Sequence, residues 1–509
     1  MPDTDVTEGE TSPINTTPLA FRAVRSGLWM MTSSYWQIAF GFTANVFLTR
    51  LLDPIHYGEY ALALFFASLL QLRTKISLSH AFGQHAKSDG VAIGTYWGLD
   101  VGLGLGGLLL ALIATGILSL LGYSQQIGIL VVLLVGIESL SSLTGIVGTY
   151  LEKSLNFKPG SVIQLFAFPL SYIPAFWFAT HGLGQWSLIS QAITGTLIAQ
   201  IAGVTYCLIW LRPLLQMRWK FDWILARKFI RFGATIGMTQ LLADLLTRFD
   251  DFLIGSIAGT ASLGFYDRAY RTAQWPATLI SGITARTAFY TYVQLGADRV
   301  RMQKTVRLLV WSVGLIGFPL ALAVFTSAPD LIRLLYGERW LPSTIFLRFL
   351  ILYAIARPIW EMAGSLFVAI GKPYLNTALV AVQLATLVIT GIPLTLLSGA
   401  QGTTVAVGLA FVVGFLLIEK MARQELGITL FQELWLPGVG VVAVILAHVG
   451  LVRLLPLEDI QLWIRVIIKM FYSASLFLGL MLLFRPSVTI SRLRYVVELI
   501  RQSTIRGMP

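Results

Sequence analysis

Cysteine is nearly absent from this chain: Cys207 is the single one in 509 residues. Disulfides within the chain and cysteine-based metal centres are therefore excluded. Cys207 lies in an apolar run and reads as a small core residue. Histidine is also scarce. His56, His80, His85, His181 and His448 are scattered, and no two have the spacing of a helical zinc site. Charged residues make up only 12%, about half of what a soluble protein carries. No phosphate-loop motif of the ATP-hydrolysing kind occurs, and no gap between apolar runs could hold a soluble domain of about 100 residues. Gly102-Leu-Gly-Leu-Gly-Gly has the spacing of a dinucleotide fingerprint. It sits inside an apolar run with no preceding strand, so it is predicted to be a stripe of small residues for close helix packing.

What fills the chain instead is hydrophobic, 56% of residues with a mean hydropathy of +0.74. A bilayer span needs about 20 apolar residues in helix, because backbone amides cannot go unpaired in hydrocarbon. Fourteen helices are predicted near 27–50, 57–78, 92–121, 127–150, 160–181, 184–211, 233–257, 262–290, 306–327, 343–369, 374–396, 401–419, 434–455 and 464–484. The expected fold class is an all-α polytopic membrane protein. Cations fall in alternate gaps: Arg22 and Arg25; Arg73, Lys75 and Lys87; Lys153 and Lys158; the basic run from Arg212 to Arg231; Arg299 to Arg307; Lys372; Lys420 and Arg423; and the C-terminal arginines. About 25 of the 37 basic residues are thus on one side, which by the positive-inside rule puts both termini in the cytoplasm. Arg465 and Lys469, at the outer end of the last helix, break the pattern. The net charge of +12 follows from this topology and from contact with anionic lipid; nucleic acid is not an expected partner, since the cations are dispersed.

Residues 1–26 carry Asp3, Asp5, Glu8 and Glu10 among Thr, Pro and Gly and read as a disordered cytoplasmic tail, where the sequon Asn15-Thr-Thr has no weight. The first apolar run starts too late, and runs too long, for a cleaved signal peptide. From Ser487 to Gln502, apolar residues at helical spacing among arginines suit either a helix on the membrane surface or a frayed tail.

The stretch from Phe47 to Ala63 returns at Phe252 to Ala269, matching at Phe-Leu, Gly58/Gly264, Tyr60/Tyr266 and Ala63/Ala269. Each stretch ends one helix, turns outside and begins the next. Two parallel six-helix lobes are expected, 27–211 and 233–420, joined by a basic linker 212–232. A helix pair at 421–485 and a basic tail at 486–509 follow. Parallel repeats with a site between them are a transporter design.

Three stretches carry a family resemblance: Leu51-Leu-Asp-Pro-Ile-His-Tyr-Gly-Glu-Tyr-Ala-Leu-Ala; Arg248-Phe-Asp-Asp-Phe-Leu-Ile-Gly running to Leu263-Gly-Phe-Tyr-Asp-Arg-Ala-Tyr-Arg; and Pro329-Asp-Leu-Ile-Arg-Leu-Leu-Tyr-Gly-Glu-Arg-Trp. With these the chain resembles Wzx-type polysaccharide flippases of the multidrug/oligosaccharidyl-lipid/polysaccharide exporter superfamily. The resemblance runs from about Gly27 to Lys420. His80-Ala-Phe-Gly-Gln-His departs from the small and apolar residues more usual there. The resemblance implies a monomeric, non-enzymatic protein of the bacterial inner membrane, with two bundles in a V around a polar cavity. Its implied cargo is an undecaprenyl-pyrophosphate-linked oligosaccharide, moved outward by alternating access. Membrane lipids, a polysaccharide polymerase and its chain-length machinery are the implied partners. No cofactor is expected beyond H⁺ or Na⁺ as coupling ion.

Ionisable residues inside spans are functional candidates. A cation that holds phosphate is best supplied by Arg, whose fork binds oxyanions bidentately. The candidate ligands are Arg248, Arg271 and Arg357, then Arg268, Arg73 and Lys75. Tyr266 and Tyr270, with Trp36, Tyr96, Trp97 and Trp275, are candidates to stack on sugar rings. Asp100, Glu138, Asp244 and Asp251 are candidate ion-coupling acids. The competing role is structural: Asp244–Arg248, Asp267–Arg271 and Arg357–Glu361 have the i,i+4 spacing of helix-stabilising pairs, and the aromatics suit an interface belt or packing. A multidrug or cation exporter would need an acidic cavity, and here intramembrane cations balance or outnumber the acids. A membrane glycan polymerase or ligase would present a large outer loop, which this chain lacks.

Overall fold

The computed structural model describes residues 19–85, 88–211, 219–296, 298–454 and 459–484, with further residues between 486 and 498. The predicted tail before residue 19, Lys87, the 212–218 part of the linker and the chain beyond 498 lie outside the described residues. Among the described residues there are fourteen long helices and no strand. They are α1 (Leu19–Leu51), α2 (Pro54–Leu70), α3 (Gly90–Leu120), α4 (Gln125–Lys153), α5 (Lys158–Thr180), α6 (Gly184–Trp210) and α7 (Trp223–Leu253, continued by a π turn Ile254–Ala258). After these come α8 (Thr260–Leu295), α9 (Arg299–Tyr336), α10 (Ser343–Ala369), α11 (374–398), α12 (400–426), α13 (Phe431–Leu454) and α14 (Leu462–Phe484). Ten helical stretches, counting 374–426 once, are long and apolar enough to cross a bilayer. The protein is an all-α, multi-pass membrane protein.

The stretch Tyr374–Leu426 would be about 80 Å long as one helix, far more than a bilayer core. It is two helices. Gly399, at φ 58° and ψ −141°, reverses the chain, a conformation costly for any residue with a Cβ. The arms then press so closely that a Cβ on Gly402 would lie 1.8 Å from the Leu394 oxygen, and the Thr395 and Thr403 hydroxyls bond at 2.7 Å.

Three expectations need correction. The second helix does not run to 78: it stops at Leu70, and two short helices, Leu72–Lys75 and Leu78–Gln84, follow. The breaks fall at Gln71 (ψ 76°) and at Ser77, which has a left-handed φ of 41°. The Thr74 hydroxyl bonds back to the Gln71 carbonyl at 2.9 Å. Second, residues from Trp223 onward, read as linker, form the first turns of α7; the Asp222 side chain accepts from Ile224 N at 2.8 Å and so caps them. Third, the gap between the predicted helices 306–327 and 343–369 is mostly helix, since α9 continues to Tyr336.

The chain divides into two compact units. One holds α1 as far as Leu48, Leu70–Gly122 and Val131–Gly237. In it two glycines of the predicted stripe pack closely, Gly104 on the backbone of Ser139 and Gly107 on the Leu70 oxygen, whereas a Cβ on Gly102 would meet nothing within 4 Å. Cys207 is buried, as expected of a core residue, with Phe82, Ile93 and Tyr96. Lys153 Nζ caps the short helix that departs from the family pattern, donating to the carbonyls of Phe82 (3.3 Å) and His85 (2.6 Å). The other unit holds Thr49–Leu69, Tyr123–Leu130 and the described chain from Met238 onward. Its sequence repeat is mirrored in packing. A Cβ on Gly58 would lie 1.7 Å from the Thr260 oxygen, and one on Gly264 would lie 1.8 Å from the Pro54 oxygen. Pro54 and Thr260 are the first residues of α2 and α8. Each repeated glycine therefore seats the start of the other helix, at the offset of the repeat. In the same unit Trp340 is buried against Tyr57 and Phe265 and donates to the Thr49 carbonyl at 3.0 Å. From the C-terminal tail, Arg492 pairs with Glu433 at 2.6 Å.

Candidate functional site

Breaking the helix after Leu70 places Arg73 where a straight helix would not. Its Nε donates to Asp100 Oδ1 at 2.6 Å and its Nη1 to Glu138 Oε1 at 2.7 Å. Gly145 makes the room, since a Cβ there would be 2.6 Å from Asp100 Oδ2 and 2.7 Å from Arg73 Nη2. The short segment is held from another side by the small residues of α7: Cβ atoms on Gly233 and Gly237 would collide with the carbonyls of Ile76 and Lys75. The structure thus gathers three separately predicted residues into one triad of net charge −1. Asp100 is buried, with Oδ2 unpartnered, while the Glu138 side chain is 30% exposed. Arg73 lines a cavity of about 460 Å³ with Ser33, Gln37, Ser141, Gln164 and Gln200. Lys75 is half-buried beside it in sequence.

In the second unit the charges of α7 and α8 face helix α2. Asp267 accepts from Arg268 Nη2 at 2.6 Å and from Arg271 Nε at 2.8 Å. Arg268 is buried, and its guanidinium stands 3.9 Å from the centre of the Tyr57 ring. Arg271 is 49% exposed and engages Asp267 through Nε alone, so both Nη groups are unused among the described residues. Arg248 is half-buried and has no hydrogen bond or ion pair among the described residues, although Asp250, Asp251 and Tyr60 lie within its electrostatic reach. Asp251 also lies near Arg271. Asp244 accepts from Gln240 Nε2 at 2.8 Å. Tyr266 is fully buried and donates to Asp250 Oδ2 at 2.6 Å; its ring stacks on Tyr270 at 6.1 Å.

Tyr270, Asp250 and Arg357 open on a cavity of about 580 Å³ in the same unit. Arg357 donates through Nε to Glu361 at 3.0 Å and through Nη1 to Gln274 at 2.9 Å, and is 42% exposed. Sequence reasoning missed much of this lining: Gln274, Trp360, Asn376, Gln383 and Phe411. Trp360 and Phe411 stack at 4.3 Å, and the polar nitrogens Trp360 Nε1 and Gln383 Nε2 are buried without partners. Polar side chains in apolar helices were the signal available. Of the other predicted aromatics, Tyr96 is buried and bonds Thr149, while Trp36 and Trp97 donate to backbone carbonyls. A cavity with amides, an aromatic pair and an arginine has the chemistry to hold hydroxylated rings and anions.

Residues 47–345 match the profile of the family described as polysaccharide biosynthesis protein. The lipopolysaccharide biosynthesis protein WzxC of Escherichia coli (strain K12) is 21% identical over 68% of this chain and 70% of its own length. The teichuronic acid biosynthesis protein TuaB of Bacillus subtilis (strain 168) is 25% identical over 44% of this chain, spanning 45% of its own length. A solved structure of the lipid II flippase MurJ, in an inward closed conformation, matches in fold with a TM-score of 0.72 at 14% identity. It covers 91% of this chain and 99% of that one. The chain belongs to the polysaccharide biosynthesis protein family of polytopic membrane proteins, as the resemblance carried by its three motifs led us to expect.

Proposed function

We propose that the protein is a flippase that moves an undecaprenyl-pyrophosphate-linked oligosaccharide from the cytoplasmic to the periplasmic leaflet of the inner membrane. One observation carries the reading: arginines with free donors stand inside apolar helices, Arg248 without an ion-pair partner among the described residues, and Arg271 and Arg357 half-exposed. A pyrophosphate in hydrocarbon is prohibitively costly, on the order of tens of kcal/mol. Guanidinium forks held in a wet cavity replace its hydration at a membrane depth where bulk water cannot. Arg248, Arg271 and Arg357 are the phosphate ligands in this reading. Tyr270 and the Trp360–Phe411 pair face the sugars. Arg268 and Tyr266 position their neighbours. Arg73 and Lys75 serve the other repeat lobe, whose counterpart spans 233–420. Alternating access then follows from rocking of the two lobes. Asp100 and Glu138 around Arg73, with Asp244 and Asp251, are the acids that exchange H⁺ or Na⁺.

An exporter of organic cations is the runner-up. It would need carboxylates free to meet the cargo. In the larger cavity Asp250 is engaged by Tyr266 and Glu361 by Arg357, which disfavours it. The test is a deletion strain with its polymerase intact. Unflipped lipid-linked repeat units should accumulate on the cytoplasmic side, and their chemistry would identify the glycan. A strain that exports normal amounts of every surface glycan, yet becomes sensitive to cationic drugs, would reverse the choice.

A further inference from the structure

Arg465 and Lys469 break the charge pattern of the chain, and the structure shows where they go. Arg465 Nη2 lies 2.9 Å from Asp330 Oδ1, and Lys469 Nζ lies 2.5 Å from Asp330 Oδ2. All three side chains are at most 10% exposed. Arg348 of α10 is close enough for Asp330 to act on it electrostatically, and its ring neighbour is Phe325 at 5.7 Å. His448 of α13 faces Lys469, Arg348 and Asp330 and is itself 93% buried, at 7% exposure. Four helices therefore gather three basic side chains and a histidine around a single carboxylate.

This cluster is unbalanced. Buried charges are normally matched by partners. Among the described residues no second carboxylate answers the two surplus cations, and Asp459, in the turn after α13, is exposed. Three nitrogens point to the same deficit: Arg348 Nε, Arg465 Nε and His448 Nδ1 are all buried without a hydrogen-bond partner. By helical rise, the five residues sit about 5–10 Å below the nearest ends of α9, α10, α13 and α14. By the alternation of these helices, those ends all lie on one face of the second unit, opposite the end of α14 at Phe484. The headgroup layer of a bilayer has that thickness on each side. We propose that Arg348, Arg465 and Lys469, gathered around Asp330 and His448, bind the phosphate of an anionic lipid at headgroup level on this face.

The full chain, purified in a neutral detergent, tests this by thermal unfolding titrated with phosphatidylglycerol, undecaprenyl phosphate or inorganic phosphate. Wild type should be stabilised by at least one of the two lipids, at lower concentration than by inorganic phosphate. Phosphatidylglycerol alone would identify a bulk lipid as the ligand, and undecaprenyl phosphate alone a carrier lipid; either supports the site. Arg348→Gln removes one cation while leaving both partners of Asp330 in place, and should weaken lipid binding about tenfold. Asp330→Asn removes the competing anion and should tighten it. A purely structural ion pair predicts the opposite for Asp330→Asn, a loss of stability with no gain in affinity. Equal lipid affinity in wild type and both variants, or stabilisation by inorganic phosphate only, would overturn the proposal.

Discussion

A guanidinium among apolar helices needs an anion nearby, and the arginines here differ in how far that need is met. Arg268 is locked between Asp267 and the Tyr57 ring, and Arg73 between Asp100 and Glu138. Arg248 and Arg271 keep donors unused. Arg248→Ala should therefore abolish glycan export while protein abundance and melting temperature stay near wild type; Arg271→Ala should abolish export too, with a lower melting temperature because it also removes one partner of the buried Asp267. If both variants export normally, the two residues are structural. Asp100→Ala should act differently. Removing one partner of a buried pair leaves an uncompensated charge, with a loss of about 3–5 kcal/mol. Melting in detergent should show it, and Arg73→Met on the same background should recover part of it; no recovery would mean that the two do not act as a pair. At this scale the sequence was only partly legible. It exposes which residues are ionisable inside apolar runs, and it separates Arg73, Asp100 and Glu138 by 27 and 65 positions. Nothing local says that they converge, because the convergence depends on a broken helix.

Helices were readable because hydrocarbon allows little else, and all fourteen predicted apolar runs correspond to helices in the structure. What could not be read was where helices break inside an apolar run. The segment between the stop at Leu70 and the left-handed Ser77 packs its Lys75 and Ile76 carbonyls on Gly237 and Gly233, far along the chain. The repeat was readable, and its reciprocal contact gives it a use. Gly58→Leu or Gly264→Leu would force apart the starts of α2 and α8, since a backbone oxygen already occupies the Cβ position. Each should destabilise by about 1–3 kcal/mol or more. The double variant should cost less than the sum, because one separation relieves both clashes. Full additivity in melting experiments would show that the two glycines do not share a contact.

For the whole molecule, orientation rests on charge. Reporter fusions after Gly90, Gly160, Trp219 and Lys372 should read as cytoplasmic, and those at Gly122, Gly182, Gly259 and Ala400 as periplasmic. One inverted pair would sink the proposed topology. Energy supply is also a property of the whole molecule. One elementary charge crossing 100 mV yields about 2.3 kcal/mol, and a carboxylate that binds H⁺ or Na⁺ before the cavity reorients captures it. Transport rates in vesicles should then fall when the imposed ion gradients are collapsed; rates set by cargo concentration alone would make Asp100, Glu138, Asp244 and Asp251 packing partners. The most direct test of the central claim is transbilayer movement itself. Proteoliposomes carrying undecaprenyl-pyrophosphate-linked oligosaccharide in one leaflet are incubated with a glycan-cleaving enzyme that reaches only the other. Cargo should become cleavable with wild-type protein and remain protected with Arg248→Ala. Cargo that stays protected with wild-type protein, or is exposed equally fast by the variant, would contradict the account.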